Sequence, residues 1–204
     1  LIFLLLFPTG LVLVDRKASG VLYEKDGVYE KITITQGEWN QRPARFLFQD
    51  RSYSAAMYLD SDELAYDYTK YYELYKLFNK NPKETFVMGG GAYSIPKAIL
   101  NDSPTVRVDV AEIEPQLFEL SKTYFNLQES ARLHNYIEDG RRFLSKTDKH
   151  YDLIVGDAYY SIFSIPTHLT TREFFTLTKN RLSEGGVFVG NFSGDLVQRS
   201  PSFI

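Results

Sequence analysis

Cysteine is absent from the chain, which excludes disulfide staples and thiolate metal sites and fits a reducing compartment. Histidine is scarce: His134, His150 and His168 are scattered, without the spacing of a metal site. Positive charge is not in excess either. With 23 Lys and Arg against 26 Asp and Glu the net charge is −3, so no basic field invites nucleic acid. Repeats and low-complexity tracts are missing, and no serine sits in a nucleophile-elbow context. No apolar run reaches the ~20 residues that a membrane-spanning helix requires. Core-forming residues are plentiful, with 44% of the chain hydrophobic and 15% aromatic, so a packed domain is expected rather than disorder.

The first residues are the oddest. Leu1–Val14 is uncharged, is interrupted by Pro8 and Gly10, and is followed by Asp15-Arg16-Lys17. Three readings stay open: the end of a membrane helix, a piece of signal sequence, and a buried strand pair. Pro8 and Gly10 spoil a signal-type apolar core, and basic residues just past an apolar stretch favour a cytoplasmic continuation. Residues 1–20 are therefore read as the end of a membrane helix tethering a cytoplasmic domain. The chain opens on leucine rather than methionine, so its natural start is expected upstream.

Residues 21–62 read as a small β domain. Val28, Glu30, Ile32 and Ile34 alternate in part with Tyr29, Lys31 and Thr33. Gly37–Pro43 reads as a polar turn, and Phe46–Phe48 with Tyr53–Met57 as a hairpin around Gln49–Ser52. Asp62 is the expected cap of a helix over Glu63–Phe78, whose Leu64, Tyr68, Tyr71, Tyr72, Tyr75 and Phe78 recur at helical spacing.

Residues 63–204 are organised around Phe86–Pro115. An apolar run ends in Gly89-Gly90-Gly91, a helix follows, and a second apolar run, Val106–Val110, ends in Glu112. Glycines after a strand let the backbone turn sharply and approach a ligand closely, while the helix beyond aims free N–H groups at it. Glu112 lies 21 residues beyond Gly91, close to the ~20 expected for an acid that holds ribose hydroxyls. Ser94 stands where a dinucleotide motif has its last glycine and, with Pro96, reads as a helix start. That departure favours a smaller adenosine-containing ligand. Beyond Glu114, expected to cap the next helix, come a helix over Pro115–Phe125, a strand His134–Glu138 ending at Asp139-Gly140, and a short helix Arg141–Thr147. Then follow a strand Tyr151–Gly156 ending at Asp157, a helix Thr171–Leu182 and a strand Val187–Asn191. Alternating strands and helices predict an α/β fold with a doubly wound, mainly parallel sheet, with Glu112, Asp139 and Asp157 at the ligand-binding carboxyl ends of its strands.

In order and spacing, Met88-Gly-Gly-Gly, Val110-Ala-Glu112-Ile-Glu-Pro115, Glu138-Asp139-Gly140, Val155-Gly-Asp157-Ala and Arg172-Glu-Phe-Phe with Leu182-Ser-Glu-Gly-Gly186 resemble the spermidine synthase (polyamine aminopropyltransferase) family. The resemblance runs from about Tyr23 to Asn191. It implies a Rossmann-like fold of the class I S-adenosylmethionine-dependent methyltransferase type with a small N-terminal β appendage. It also implies attack by a primary amine such as putrescine on the carbon beside a sulfonium, releasing methylthioadenosine. The sulfonium is decarboxylated S-adenosylmethionine or S-adenosylmethionine, used as substrate without a metal. Gly89, Gly90 and Gly91 match the loop under the nucleoside, Glu112 the acid on the ribose hydroxyls, Asp139 with Gly140 the adenine contact, and Asp157 the catalytic acid. The loop after Asp157, with Tyr159, Tyr160 and Phe163, is a candidate lid, and Tyr66, Asp67 and Tyr160 are candidate substrate contacts. The apolar start resembles membrane-fused bacterial members, and the resemblance suggests a homodimer. The fold usually continues with an antiparallel strand pair, so the chain is expected to be cut short at its end also.

Three departures stand out. Ala92 occupies a position where the family has aspartate, Tyr160 replaces the second acid of an Asp-x-x-Asp pair, and Asp67 follows Tyr66 in place of glutamine or histidine. The slot therefore offers fewer carboxylates than a diamine needs, with Asp67 and Glu30 as candidate replacements. Loss of the acid at position 92 removes a repulsion against the carboxylate of ordinary S-adenosylmethionine. Two other functions remain open: methyl or other alkyl transfer to an unknown acceptor, and a nucleoside-binding domain that has lost catalysis.

Overall fold

The computed structural model describes residues 2–5, 20–159 and 165–192, and of Ile2–Leu5 the backbone alone. The first strand, β1 (Ile2–Leu5), runs parallel to β10 (Leu182–Asn191) from the far end of the sequence, Ile2 opposite Phe188. Of the three readings of the apolar start, a strand is what residues 2–5 form. Residues 6–19, the rest of that expectation, lie outside the described residues. Among the described residues no helix is long and apolar enough to cross a membrane.

The chain then builds an antiparallel meander from β2 (Val21–Asp26), β3 (Lys31–Trp39), β4 (Arg42–Gln49) and β5 (Ser52–Tyr58). The expected turn at Gly37–Pro43 is tighter than its composition suggests. Gly37–Trp39 stay in β3, and Asn40 and Gln41 alone turn the chain, both at positive φ (50° and 62°), as a two-residue turn matched to the twist of the strands demands. Alternation gives the meander two apolar faces. Ile32, Ile34, Leu47 and Met57 pack on Ala92, Leu117 and Phe125, while Ala44, Phe46, Ala56 and Tyr58 form a separate cluster with Ala65.

The expected helix over Glu63–Phe78 is broken into a single α-turn, α1 (Asp67–Lys70), and a 3-10 segment over Tyr71–Leu77. Asp62 does not cap it; its carboxylate accepts from Lys97 Nζ at 2.7 Å, and Leu64 bridges to Met57 on the meander. A three-residue repeat stacks every third side chain, which lines up Thr69, Tyr72 and Tyr75 as the buried face.

From here strands and helices alternate: β6 (Glu84–Met88), α2 (Ser94–Asp102), β7 (Arg107–Glu112), α3 (Leu117–Tyr124), β8 (Leu133–Ile137), α4 (Gly140–Lys146), β9 (Tyr151–Gly156) and α5 (Arg172–Arg181) before β10. The sheet order is β1-β10-β9-β6-β7-β8, every pair parallel. The order reverses at β6, which lies between β7 and β9, and that crevice is where open α/β sheets take ligands. Ser94 is the first residue of α2 rather than its cap. The cap position falls to Tyr93 in the left-handed region (φ 57°), its ring buried and its hydroxyl donating to Asn135. Apolar runs in β6, β7 and β9 are buried on both faces of the sheet, as parallel strands require.

A charged residue in the middle of β7 interrupts that core. Asp109, 1% exposed, faces three partners: Lys149 Nζ and Tyr151 Oη each donate at 2.8 Å, and His134 Nδ1 lies at 2.9 Å. Burial pushes its carboxyl up, but hydrogen bonds from Lys149, His134 and Tyr151 outweigh it and hold the group below the ordinary aspartate value. A depressed folded value contributes stability above the unfolded value of ~3.9 and loses it as pH falls through the folded value. Asp109→Ala should cost about 2–4 kcal/mol in urea unfolding at neutral pH, since it strands the buried Tyr151 hydroxyl and leaves Lys149 and His134 without their partner. The difference from wild type should shrink in acid.

Candidate active site

The carboxyl ends of β6, β7, β8 and β9 open into a cavity of about 1000 Å³ whose opposite wall is the meander. Gly89–Ala92, Glu112, Asp139, Gly140 and Asp157 line one side, with Glu30, Gln49, Tyr53 and Tyr66 among the residues facing them. The predicted glycines, both strand-end acids that bracket them, and Asp157 therefore share one space.

The glycine loop is shaped by backbone contacts that no side chain would permit. Gly89 sits at φ 86°, and a Cβ there would lie 2.7 Å from the Asp157 carbonyl oxygen. At Gly90 the obstacle is the Tyr93 ring, 2.5 Å from such a Cβ. The turn exposes amide N–H groups, and Glu112 takes them: its Oε2 accepts from Gly90 N at 2.7 Å and Gly91 N at 3.1 Å, while its Oε1 accepts from Glu114 N at 2.8 Å. A carboxylate offers about four lone-pair sites, so three protein donors leave one for a ligand. Burial raises the Glu112 carboxyl, against the pull of these backbone donors.

Asp157 follows β9, its N–H donating to Met88 O at 3.0 Å. Burial pushes its carboxyl up to about 6, against the opposing hydrogen bonds of Tyr72 and Asn191; Asn191 Nδ2 donates to Oδ1 at 3.3 Å. A carboxyl at that value is suited to take a proton near neutral pH.

Asp139 caps α4, Oδ1 accepting from Arg142 N at 2.8 Å, and Oδ2 lies 2.9 Å from His168 Nε2. Both its helix-capping role and its place beside Gly140 on the cavity wall are thus real. Tyr66 lines the cavity with its hydroxyl buried and unpartnered, and Trp39 packs edge-on against its ring at 5.2 Å. Asp67 is placed elsewhere. Its side chain is 87% exposed and pairs with Lys70 at 3.6 Å, because one step along α1 turns it to the outside; Tyr68 and Thr69 line the cavity instead. Tyr160, with Phe163, lies outside the described residues. Ala92, 2% exposed, packs against the meander.

Glu114, expected at the start of α3, does reach Gln116 N, at 3.4 Å. Its other oxygen accepts from Val28 N at 2.7 Å and Tyr29 N at 3.1 Å, which ties the β2–β3 turn to the parallel-sheet half. Sequence reasoning passed over Tyr68, His168 and Asn191. Asn191 had a signal, since it ends a parallel strand as Asp157 does; the other two had none. No three of His, Asp and Glu among the described residues converge on a metal geometry.

Residues 72–193 match the spermine/spermidine synthase domain family. The chain belongs to that family. Over 118 residues it is 35% identical to the polyamine aminopropyltransferase of Vibrio vulnificus (strain CMCP6), an alignment that covers 56% of this chain and 39% of that protein. The fold is shared with a probable spermidine synthase from Corynebacterium glutamicum ATCC 13032 (TM-score 0.72, 20% identity, 82% of this chain and 62% of that one). It is shared too with a spermidine synthase in complex with the transition state analogue AdoDATO (TM-score 0.65, 22% identity, 82% of this chain and 56% of that one). The chain thus spans about two fifths of the length of the curated relative, and its relatives are aminopropyltransferases built on a methyltransferase-like fold.

The raised value of Asp157 carries a cost in stability. An acid whose folded value lies above its unfolded one destabilises the fold progressively as pH rises from ~3.9 to that folded value of about 6. Asp157→Asn should therefore unfold at a higher urea concentration than wild type at pH 7, by about 1–3 kcal/mol. The two proteins should converge near pH 4.

Proposed function

We propose that this domain is an aminopropyltransferase, carrying the aminopropyl group of decarboxylated S-adenosylmethionine to a polyamine such as putrescine. The charge of the cavity wall is the observation that carries the reading. Among the described lining residues there are six carboxyl groups (Glu30, Glu112, Glu114, Glu138, Asp139 and Asp157) and neither lysine nor arginine. Such a wall suits ligands that are cationic throughout: a sulfonium bearing an ammonium, and a diamine. A ligand carboxylate would enter without a partner. That argues for the decarboxylated donor over ordinary S-adenosylmethionine, although Ala92 contributes no repulsion of its own.

In this reading Glu112 accepts from the ribose, the glycine loop passes beneath the nucleoside, and Asp139 meets the adenine amino group. The acceptor nitrogen attacks the carbon beside the sulfur. As the C–N bond forms the C–S bond breaks, methylthioadenosine leaves with the electron pair, and the nitrogen gives up a proton to Asp157. General-base assistance of this kind contributes roughly 10²–10⁴ in rate.

Mass spectrometry after incubation with putrescine and either sulfonium tests the reading. New spermidine from the decarboxylated donor is expected, and Asp157→Asn should lower kcat by about 10²–10⁴ while leaving donor affinity within a few-fold. A product heavier by one methylene from ordinary S-adenosylmethionine would replace it with methyl transfer. Binding without any turnover would reduce the domain to a nucleoside-binding module.

A further inference from the structure

Little on the cavity wall holds the side chain of Asp157. Its N–H fixes the backbone on Met88 O, but Asn191 Nδ2 reaches Oδ1 only at 3.3 Å, long for a hydrogen bond. A proton acceptor works when it is held within roughly 0.5 Å of its place, so a further contact is needed.

Behind the wall stands Tyr72. The 3-10 repeat of Tyr71–Leu77 turns its ring inward, where it is 3% exposed and joins the core cluster of Val87, Val155 and Val189. Tyr68 and Thr69 line the cavity, whereas Tyr72, three residues beyond Thr69, is set back from it. Its hydroxyl faces two acceptors: Gly156 O, at 3.4 Å, and the carboxyl of Asp157. A single O–H serves one of them at a time. While Asp157 is protonated, the peptide carbonyl competes for it. Once Asp157 ionises, the charge-assisted bond is about twice as strong and prevails. We infer that Tyr72 is a positioning residue: from behind the wall its hydroxyl holds the Asp157 side chain in place and favours its ionised form, the form able to take a proton from the acceptor amine. The inference rests on the reading of Asp157 as that proton acceptor.

The neighbourhood suits this task. Burial is the main force raising the Asp157 carboxyl, and Tyr72, then Asn191, opposes it. Tyr68 and Tyr159 are the other titratable groups facing the pair, and Tyr159 Oη donates to Asn191 O at 3.1 Å. Burial and the charge of Asp157 push the hydroxyls of Tyr68 and Tyr72 well above the ordinary tyrosine value. Both therefore stay protonated, and Tyr72 remains a donor, throughout the neutral range. Deleting its hydroxyl removes a contact that favours the carboxylate, so Asp157 should ionise at a higher pH.

Tyr72→Phe keeps the ring and its packing and deletes the hydroxyl alone. Steady-state kinetics of the full chain with putrescine and decarboxylated S-adenosylmethionine read the effect. The rise of kcat with pH should move about one unit alkaline, the worth of a hydrogen bond to a charged group. Thus kcat should fall about tenfold near pH 5 and by less than about threefold near pH 8, with both KM values within about threefold of wild type. A merely structural role would lower kcat by one factor at every pH. A double-mutant cycle on stability reads the same contact without turnover. Urea unfolding of wild type, Tyr72→Phe, Asp157→Asn and the double variant should show a coupling that grows about tenfold, as a factor in the folding equilibrium, from near pH 4 to near pH 8. A Tyr72→Phe profile that superimposes on wild type or is lowered equally at every pH, or a coupling that ignores pH, overturns the inference while the transferase reading stands. Failure of wild type to form spermidine overturns the transferase reading, and the cycle then decides alone whether Tyr72 governs Asp157.

Discussion

A carboxylate gripping the backbone of a glycine turn is the contact on which the rest of the site depends. Three consecutive glycines have no preferred shape of their own. Here Glu112 gathers the N–H groups of Gly90 and Gly91 onto one oxygen and that of Glu114 onto the other, so the loop after β6 and the loop after β7 are set by the same side chain. Charge-assisted hydrogen bonds to backbone N–H groups are the strong kind, and the group is 6% exposed, where water competes little. The ligand-facing geometry is thereby fixed before a ligand arrives.

Glu114 extends the arrangement across the cavity. Its hold on Val28 and Tyr29 joins the meander to the parallel sheet by polar contact, beside the apolar contact of Ile32, Ile34 and Met57 with Leu117 and Phe125. Two sheets joined through a shared apolar cluster become two walls of one cavity. Burial raises the carboxyls of Glu30 and Asp157 to about 7 and about 6, and at Glu30 the charges of Asp50, Glu112 and Glu114 add to the rise. Holding carboxyls with raised values costs the fold stability at neutral pH.

Much of this was legible in the residues. The glycine run, the acid 21 residues on and the rhythm of strands and helices specify the parallel sheet and three of the cavity's acids, because parallel strands end where ligands bind. What could not be read was set by contacts between distant segments. Tyrosines at helical spacing over Glu63–Phe78 gave the right buried face for Tyr72 and Tyr75 but the wrong helix, since Asp62 was drawn to Lys97 instead of capping. Asp67 looked like a substrate contact by its place after Tyr66, yet one residue along a helical turn moves a side chain from cavity to solvent. Glu30, which the sequence offered as a replacement carboxylate, is brought to the cavity by a hairpin turn that Glu114, 84 residues away, holds in place.

The most direct test of the account is a calorimetric titration of methylthioadenosine into wild type and Glu112→Ala. Loss of a charge-assisted contact to the sugar, together with collapse of the loop it shapes, should weaken binding by at least ~30-fold while the urea midpoint shows the protein still folded. Equal affinity in the two proteins would contradict the claim that Glu112 organises the site.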